Sequence, residues 1–308
     1  MRISRLSHAS VILTVGQVKF GLFALNYGTC ADPEAAVTVA RHAEAAGFES
    51  VWTGEHVVLP DPRPSPRAFP PTLPFLDTTV ALTLLASHTT RIRVATGIIV
   101  LPLRNPVLLA KELASVDVVS GGRLTVGVAA GYMPAEFTSV GVPMAGRQTR
   151  VDEYVRALRA LWTMEQPRFE GRHVSFDGID AHPRPVQRAG PPIVVGGDGP
   201  AALIRAVTLA NGWYGFSLDV DATRDRLDQL RRLGSDHDRP TELGTLEITV
   251  TPYGPLDRDV VARYEELGVD RLVLLPEPAA VHAERHRPVP LERILDNIDR
   301  AARDLLPR

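Results

Sequence analysis

One pattern repeated eight times constrains this chain more than any other feature. A short, β-branched apolar run is followed by a loop holding Gly or Pro and then by a segment with helical apolar spacing. The apolar runs are Lys19 to Leu25, Ser50 to His56, Ile92 to Val100, Leu124 to Gly131, Pro192 to Gly197, Trp213 to Ser217, Leu246 to Thr251 and Arg271 to Leu275. All are apolar enough to be buried on both faces, as parallel strands flanked by helices require. Helices are predicted at about 33–46, 76–88, 106–119, 149–163, 199–210, 221–233, 257–267 and 290–305, each with one apolar stripe. Asp32-Pro33-Glu34 reads as a cap followed by proline in the first helical turn, and Gly47 as the stop. Eight such units predict an α/β fold, a closed (β/α)8 TIM barrel rather than an open doubly wound sheet.

No linker or change of composition divides the chain, so residues 19–308 are read as a single barrel domain and 1–18 as an N-terminal extension. Two insertions interrupt the repeat. Residues 57–75, after strand 2, hold seven prolines between Pro60 and Pro74, which excludes helix and central strand and predicts an extended flap. Because it leaves the C-terminal end of a barrel strand, it is expected to overhang the active face. The second insertion, 168–177 before strand 5, reads as a hairpin turning at Glu170-Gly171-Arg172, with Phe169, Val174 and Phe176 as its packing residues.

Composition excludes several classes of function. A net charge of -2 gives no bulk basic field for nucleic acid or an anionic membrane surface. The apolar runs are too short to span a bilayer. Residues 8–18 contain Thr14 and Gln17 and lack a persuasive cleavage site, so no signal peptide is read there. The single cysteine, Cys30, cannot form an internal disulfide, and a reducing, cytoplasmic setting is expected.

Barrel chemistry sits at the strand tips. Those of the first four strands end in Ala24-Leu25-Asn26, Thr53-Gly54-Glu55-His56, Thr96-Gly97-Ile98 and Ala130-Gly131-Tyr132, whose small residues leave room for something flat and wide. Glu55-His56 is the one acid–base pair at a predicted tip. An imidazole titrates near neutral pH and suits proton transfer, although adjacent strand positions face opposite ways and the same histidine would equally serve as a structural residue bonded to a loop carbonyl. Val194-Val195-Gly196-Gly197-Asp198-Gly199-Pro200 runs from strand to helix, where backbone N–H groups could meet an anion. It is neither a Walker A loop nor the three-glycine dinucleotide pattern, and reads equally as a tight turn. Arg147 and Arg150, and Arg63 and Arg67 in the flap, are candidate anion ligands or solvated surface charges. His282 and His286 fall in a proline-rich stretch that argues against a helical metal pair, so no metal site is expected. A serine-hydrolase elbow is absent.

Several segments together resemble the bacterial luciferase-like superfamily, particularly its deazaflavin (coenzyme F420) branch. They are Phe20-Gly-Leu-Phe23, Ala43-Glu-Ala-Ala-Gly-Phe-Glu-Ser-Val-Trp-Thr-Gly-Glu-His56, Thr90-Arg-Ile-Arg-Val-Ala-Thr-Gly-Ile98, Leu101-Pro-Leu-Arg-Asn-Pro-Val-Leu-Leu-Ala-Lys111, Ser120-Gly-Gly-Arg-Leu-Thr-Val-Gly-Val128, Gly146-Arg-Gln-Thr-Arg-Val-Asp-Glu-Tyr154 and Pro192-Ile-Val-Val-Gly-Gly197. The likeness covers about 19–217 well and the last third thinly. It implies a luciferase-like barrel with an isoalloxazine-type ring across the mouth, against Thr96, Gly97, Ile98, Ala130, Gly131 and His56, and with its phosphate near Gly196 and Gly197. It further implies a cis peptide between Gly97 and Ile98 and places Glu136 and Arg147 near the site. Where deazaflavin relatives carry Asp-His, this chain has Glu55-His56, so the histidine role carries over directly.

The resemblance leaves two chemistries open. With F420 the chain is a hydride-transfer oxidoreductase acting on a small carbonyl, imine or activated alkene, with His56 as proton donor or acceptor and Glu55 and Glu136 as supporting acids. With reduced FMN and dioxygen it is a monooxygenase. A catalytically silent flavin-binding barrel and a metal-dependent hydrolase are the readings from other classes. The resemblance also implies a homodimer acting on a small molecule.

Overall fold

The computed structural model describes residues 16–65, 68–276 and 289–306. All eight predicted strands form one parallel, closed ring. Its members are β1 (Lys19–Leu22), β2 (Ser50–Thr53), β3 (Arg93–Thr96), β5 (Leu124–Ala129), β8 (Ile193–Gly196), β9 (Gly212–Leu218), β10 (Glu247–Pro252) and β11 (Arg271–Leu274). Each pairs in parallel with its neighbours in that order, β11 returns to β1, and β3 pairs with β5. β4 (Ile99–Val100) pairs with the end of β5. The predicted strand 92–100 is therefore broken in two, with Gly97 and Ile98 between the pieces and a cis peptide joining them.

The helices α1 (Pro33–Ala45), α2 (Thr78–His88), α3 (Pro106–Ser120), α5 (Arg147–Thr163), α6 (Pro200–Leu209), α7 (Val220–Asp236), α8 (Arg258–Leu267) and α9 (Leu291–Asp304) follow the barrel strands in turn. Their starts obey ordinary capping chemistry. Asp32, Asp77, Asn105, Asp219 and Asp257 each accept a bond from a first-turn N–H of α1, α2, α3, α7 and α8. One helix escaped the sequence pattern, the short α4 (Pro134–Ser139), whose six residues are too few to show a period. The hairpin insertion forms as expected, β6 (Phe169–Glu170) against β7 (Ser175–Phe176).

Strand residues alternate between two apolar layers. Val51, Val94, Ile193, Val195, Trp213 and Leu272 pack outward against the helices, while Phe23, Trp52, Ala95, Val194, Tyr214 and Val273 form a separate interior cluster. β2 and β9 lie on opposite sides of the ring, yet Trp52 and Tyr214 have ring centroids 5.2 Å apart, so aromatic side chains fill the barrel interior. Closure between β3 and β5 depends on a missing side chain. A Cβ on Gly127 would lie 2.0 Å from the Thr96 carbonyl oxygen. The Thr96 hydroxyl instead bonds both the N–H and the carbonyl of Gly127, at 2.7 Å each.

Beneath this layer the buried Arg271 reaches Glu49 through Nε at 2.8 Å and is also paired with Glu247, tying the start of β2 to β10 and β11. Its guanidinium lies 5.7 Å from the Trp52 ring centroid. The N-terminal end of the barrel is thus an ionic plug, and the open end is the other one, as the architecture leads one to expect.

Candidate active site

The strand tips surround a cavity of about 690 Å³, within the usual range for small-molecule sites. Small residues form much of its lining: Gly54, Gly97, Ala129, Ala130, Gly131, Gly196 and Gly197. Two of these glycines are required by their surroundings. Gly131 has φ +74° and a Cβ there would stand 2.5 Å from Val100, while Gly197 has φ +113°.

At the tip of β2 the two adjacent acid–base residues part company, as alternation dictates. Glu55, 9% exposed, turns to the third strand, where Oε2 accepts from the Val100 N–H at 2.6 Å and Oε1 from Arg104 Nε at 3.1 Å. Arg104 also pairs with Asp77 at 2.7 Å. Burial pushes the Glu55 carboxyl above the ordinary carboxylate range, against the pull of the Arg104 guanidinium. His56 turns the other way, and its Nδ1 lies 3.2 Å from Glu136 Oε1. The same carboxylate oxygen accepts the Val57 N–H at 2.9 Å, and Glu136 is 1% exposed. The partner of His56 is therefore the acid on α4, not its neighbour in sequence.

Of the other predicted ring contacts, Gly97, Ile98, Ala130 and Gly131 line the cavity. Thr96 does not: it is fully buried below the rim, where it bridges to Gly127. Arg147 is likewise absent from the lining, and its Nε donates to the Gly131 carbonyl at 3.2 Å, holding the tip of β5. Gly196 and Gly197 do line it, together with the first residues of α6. Unlike the five helices capped by Asp or Asn, α6 starts at Gly199 with no side-chain cap, and its first residues, Pro200, Ala201 and Ala202, line the cavity.

The flap lies where it was expected, but aromatic residues are what it contributes. Phe69, Leu73 and Phe75 line the cavity, whereas Arg63 is exposed and away from it, and Arg67 lies outside the described residues. Asn26, fully buried, fixes the flap's far end. Its amide donates to the carbonyls of Gly54 and Leu76 at 2.8 Å each, and its Oδ1 accepts the Gly54 N–H at 2.8 Å. Tyr132, at the predicted tip of the fourth strand, lines the cavity, as do Tyr27, Gln148 and Arg205, for which the sequence suggested no role. Aromatics in a proline-rich loop were the one available signal, since a solvated flap has no use for Phe69 and Phe75.

Cys30 lines the cavity, and burial, aided by Asp32, pushes its thiol up to about 12. His282 and His286 lie outside the described residues. Among the described residues no group of three or more His, Cys, Asp or Glu could hold a metal ion, and no helix is long and apolar enough to cross a membrane.

A closed eight-stranded parallel barrel with flanking helices is a (β/α)8 barrel. The chain belongs to the luciferase-like monooxygenase family, which it matches over residues 16–283. It is 33% identical over 261 residues to an uncharacterized protein of Mycobacterium tuberculosis, covering 80% of this chain and 90% of that protein. It is 30% identical over 169 residues to an FMNH(2)-dependent dimethylsulfone monooxygenase of Pseudomonas putida, covering 54% of this chain and 46% of the other.

Among solved structures, monooxygenase RslO1 from Streptomyces bottropensis superposes with a TM-score of 0.73 at 24% identity, covering 94% of this chain and 99% of that one. An F420-dependent secondary alcohol dehydrogenase bound to an F420-acetone adduct has the same TM-score at 17% identity, covering 94% and 98%. These likenesses support the fold, and the proteins this chain is similar to include one named as F420-dependent and one named as FMNH(2)-dependent.

Proposed function

We propose that this chain is an F420-dependent oxidoreductase that moves a hydride to or from a small carbonyl, imine or activated alkene. The observation that carries the reading is the His56–Glu136 pair at the cavity wall, 3.2 Å apart, with the carboxylate fully buried behind the imidazole. With Nδ1–H directed at Glu136, Nε2 is the ring nitrogen left to exchange a proton with a substrate. Reducing a C=O, C=N or C=C bond takes one hydride and one proton. The deazaflavin, when bound, supplies the hydride, and His56 supplies the proton that the receiving oxygen, nitrogen or carbon needs.

The remaining lining fits a flat ring with an anionic tail. Gly97, Ile98, Ala130 and Gly131 leave a smooth floor, and the uncapped start of α6 behind Gly196 and Gly197 suits a phosphate. Glu55 serves this site indirectly, through the Val100 N–H and Arg104, by holding the rim beside Gly97 and Ile98.

A second reading, an FMN-dependent monooxygenase fed with reduced FMN, is favoured by the likeness to the dimethylsulfone monooxygenase over 54% of the chain. Titrating the purified protein with oxidised and reduced F420 and FMN in parallel separates the two. Tight F420 binding with weak FMN binding supports the proposal, while oxygen-dependent product formation with FMN alone overturns it. Binding of either ring with no turnover on any carbonyl, imine or alkene would make the chain a silent flavin-binding barrel.

A further inference from the structure

The cavity has two unlike sides. Gly196, Gly197 and the start of α6, with Gly199, Pro200, Ala201 and Ala202, make a side of small residues. Three strand positions away round the ring, the tip of β2 and the flap make an aromatic wall. Tyr27 and Phe75 stack with centroids 4.6 Å apart and planes 25° apart. Phe69 lies 5.7 Å from Phe75. The His56 ring sits edge-on to both phenylalanines at 5.5 Å and to Tyr132 at 6.1 Å.

The wall is built in advance of any ligand. Tyr27 and Phe75 share a β-bridge, Gly28 donates to the Pro74 carbonyl at 3.1 Å, and Asn26 holds Leu76. Tyr132 nonetheless leaves 71% of its surface exposed at the mouth, an aromatic face disposed toward whatever enters.

Charge is the other half of the argument. Among the described residues lining the cavity the carboxylates and guanidinium are Glu55, Asp198 and Arg205, and each is already matched. Glu55 is held by Arg104, Arg205 by Asp152 at 2.5 Å, and Asp198 by Arg226 at 3.6 Å. A protonated His56 is balanced by Glu136. An ionic substrate would lose its water against this wall without gaining a counter-charge.

We infer that the aromatic wall of Tyr27, Phe69, Phe75 and Tyr132 is the substrate subsite, and that it selects a neutral, flat, largely apolar molecule, aromatic or alicyclic, with one polar group directed to His56. The inference deepens the proposed hydride-transfer reading and takes from it only the identity of that polar group. Its evidence is the shape and charge of the wall.

The test is calorimetric titration with three probes sharing one ring system: 2-acetylnaphthalene, 2-naphthoate and 2-naphthylmethylammonium, with and without saturating oxidised F420. The ketone is expected to bind about tenfold or more tighter than either ion, and Phe75→Ala to weaken it about tenfold. Leu73→Lys, on the half-exposed flap, supplies the missing charge and is expected to raise naphthoate affinity about tenfold while lowering that of the ketone.

Equal or tighter binding of an ion, no measurable ketone binding in either state, or an unaltered preference in Leu73→Lys would overturn the inference. Ketone preference in a protein that binds no F420 would uphold the subsite and remove the cofactor reading. F420 binding together with an ion preference would do the reverse.

Discussion

His56 and Glu136, 80 residues apart in the chain, meet at 3.2 Å on the cavity wall because the tip of β2 and the short helix α4 converge there. The carboxylate oxygen that faces the imidazole is also fixed by the Val57 N–H, so the acid is oriented before any substrate arrives. A proton carrier at this place is expected to matter for turnover far more than for binding. His56→Ala is expected to keep cofactor affinity and to lose about 10²–10⁴ in kcat, the usual worth of one positioned general acid or base. His56→Gln, which hydrogen-bonds but does not carry the proton, is expected to match alanine. Glu136→Gln is expected to lose about tenfold or more in kcat with little change in cofactor Kd. Steady-state kinetics with separate binding titrations read all three, and wild-type turnover in both His56 variants would remove the imidazole from the mechanism.

The start of α6 yields a prediction about binding instead of rate. Gly197 has φ +113° and a Cβ there would lie 3.3 Å from Ala202, so Gly197→Val crowds the start of α6 and strains the turn. Ala201→Glu, at an exposed lining position, adds a negative charge at the same place without backbone strain. Both are expected to weaken F420 or FMN binding about tenfold or more, with Ala201→Glu leaving the melting temperature near that of the wild type. Unchanged affinity in both would move the phosphate elsewhere.

The barrel was legible in the sequence because a parallel strand buried on both faces has a composition of its own, and eight such runs alternated with helical spacing. The break at Gly97 was not legible from periodicity, since Ile92 to Val100 is apolar throughout. It entered through the family resemblance, and the structure has the cis bond at the implied place. The site was legible where it lies on strand ends and obscure where it depends on contacts between loops. Alternation foretold that Glu55 and His56 would diverge, but only three-dimensional structure could say that Arg104 and Glu136 receive them. Charge makes the arginines of the flap conspicuous in a sequence, yet Arg63 stays in solvent, away from the cavity. Phe69 and Phe75 reach the cavity because apolar side chains in an otherwise solvated loop are driven inward.

Cys30 combines a cavity-lining position with 2% exposure, and burial together with Asp32 pushes its thiol up to about 12. Only the thiolate reacts with disulfide reagents. At pH 8 the native protein is expected to react about 10³-fold more slowly than an unfolded chain with an ordinary thiol. Ellman's reagent in buffer and in guanidinium chloride measures this, and rapid native labelling would contradict the burial.

The last prediction concerns stability and pH. Glu44, at the end of α1, accepts the backbone N–H groups of Thr90, Arg91 and Ile92 at 2.9, 2.6 and 2.8 Å and so caps the entry to β3. Slight burial opposes its ionisation, but these three donors and the nearby Arg91 charge bring its carboxyl down to about 2. The group is only partly buried, so solvent screening limits its worth to about 1 kcal/mol, the scale of one net hydrogen bond. A carboxylate whose folded value is depressed stabilises fully above its unfolded value, near 4.3 for glutamate, and loses that contribution as pH falls from there through about 2. Glu44→Gln, which keeps the size but not the charge, is therefore expected to lower stability by about 1 kcal/mol at pH 7 and by the same amount at pH 5.5. The gap between variant and wild type is expected to narrow steadily below pH 4.3. Urea midpoints measured at pH 7, 5.5, 4 and 3 follow it, and a gap that stays constant down to pH 3 would show that the carboxylate is not held ionised by these three donors.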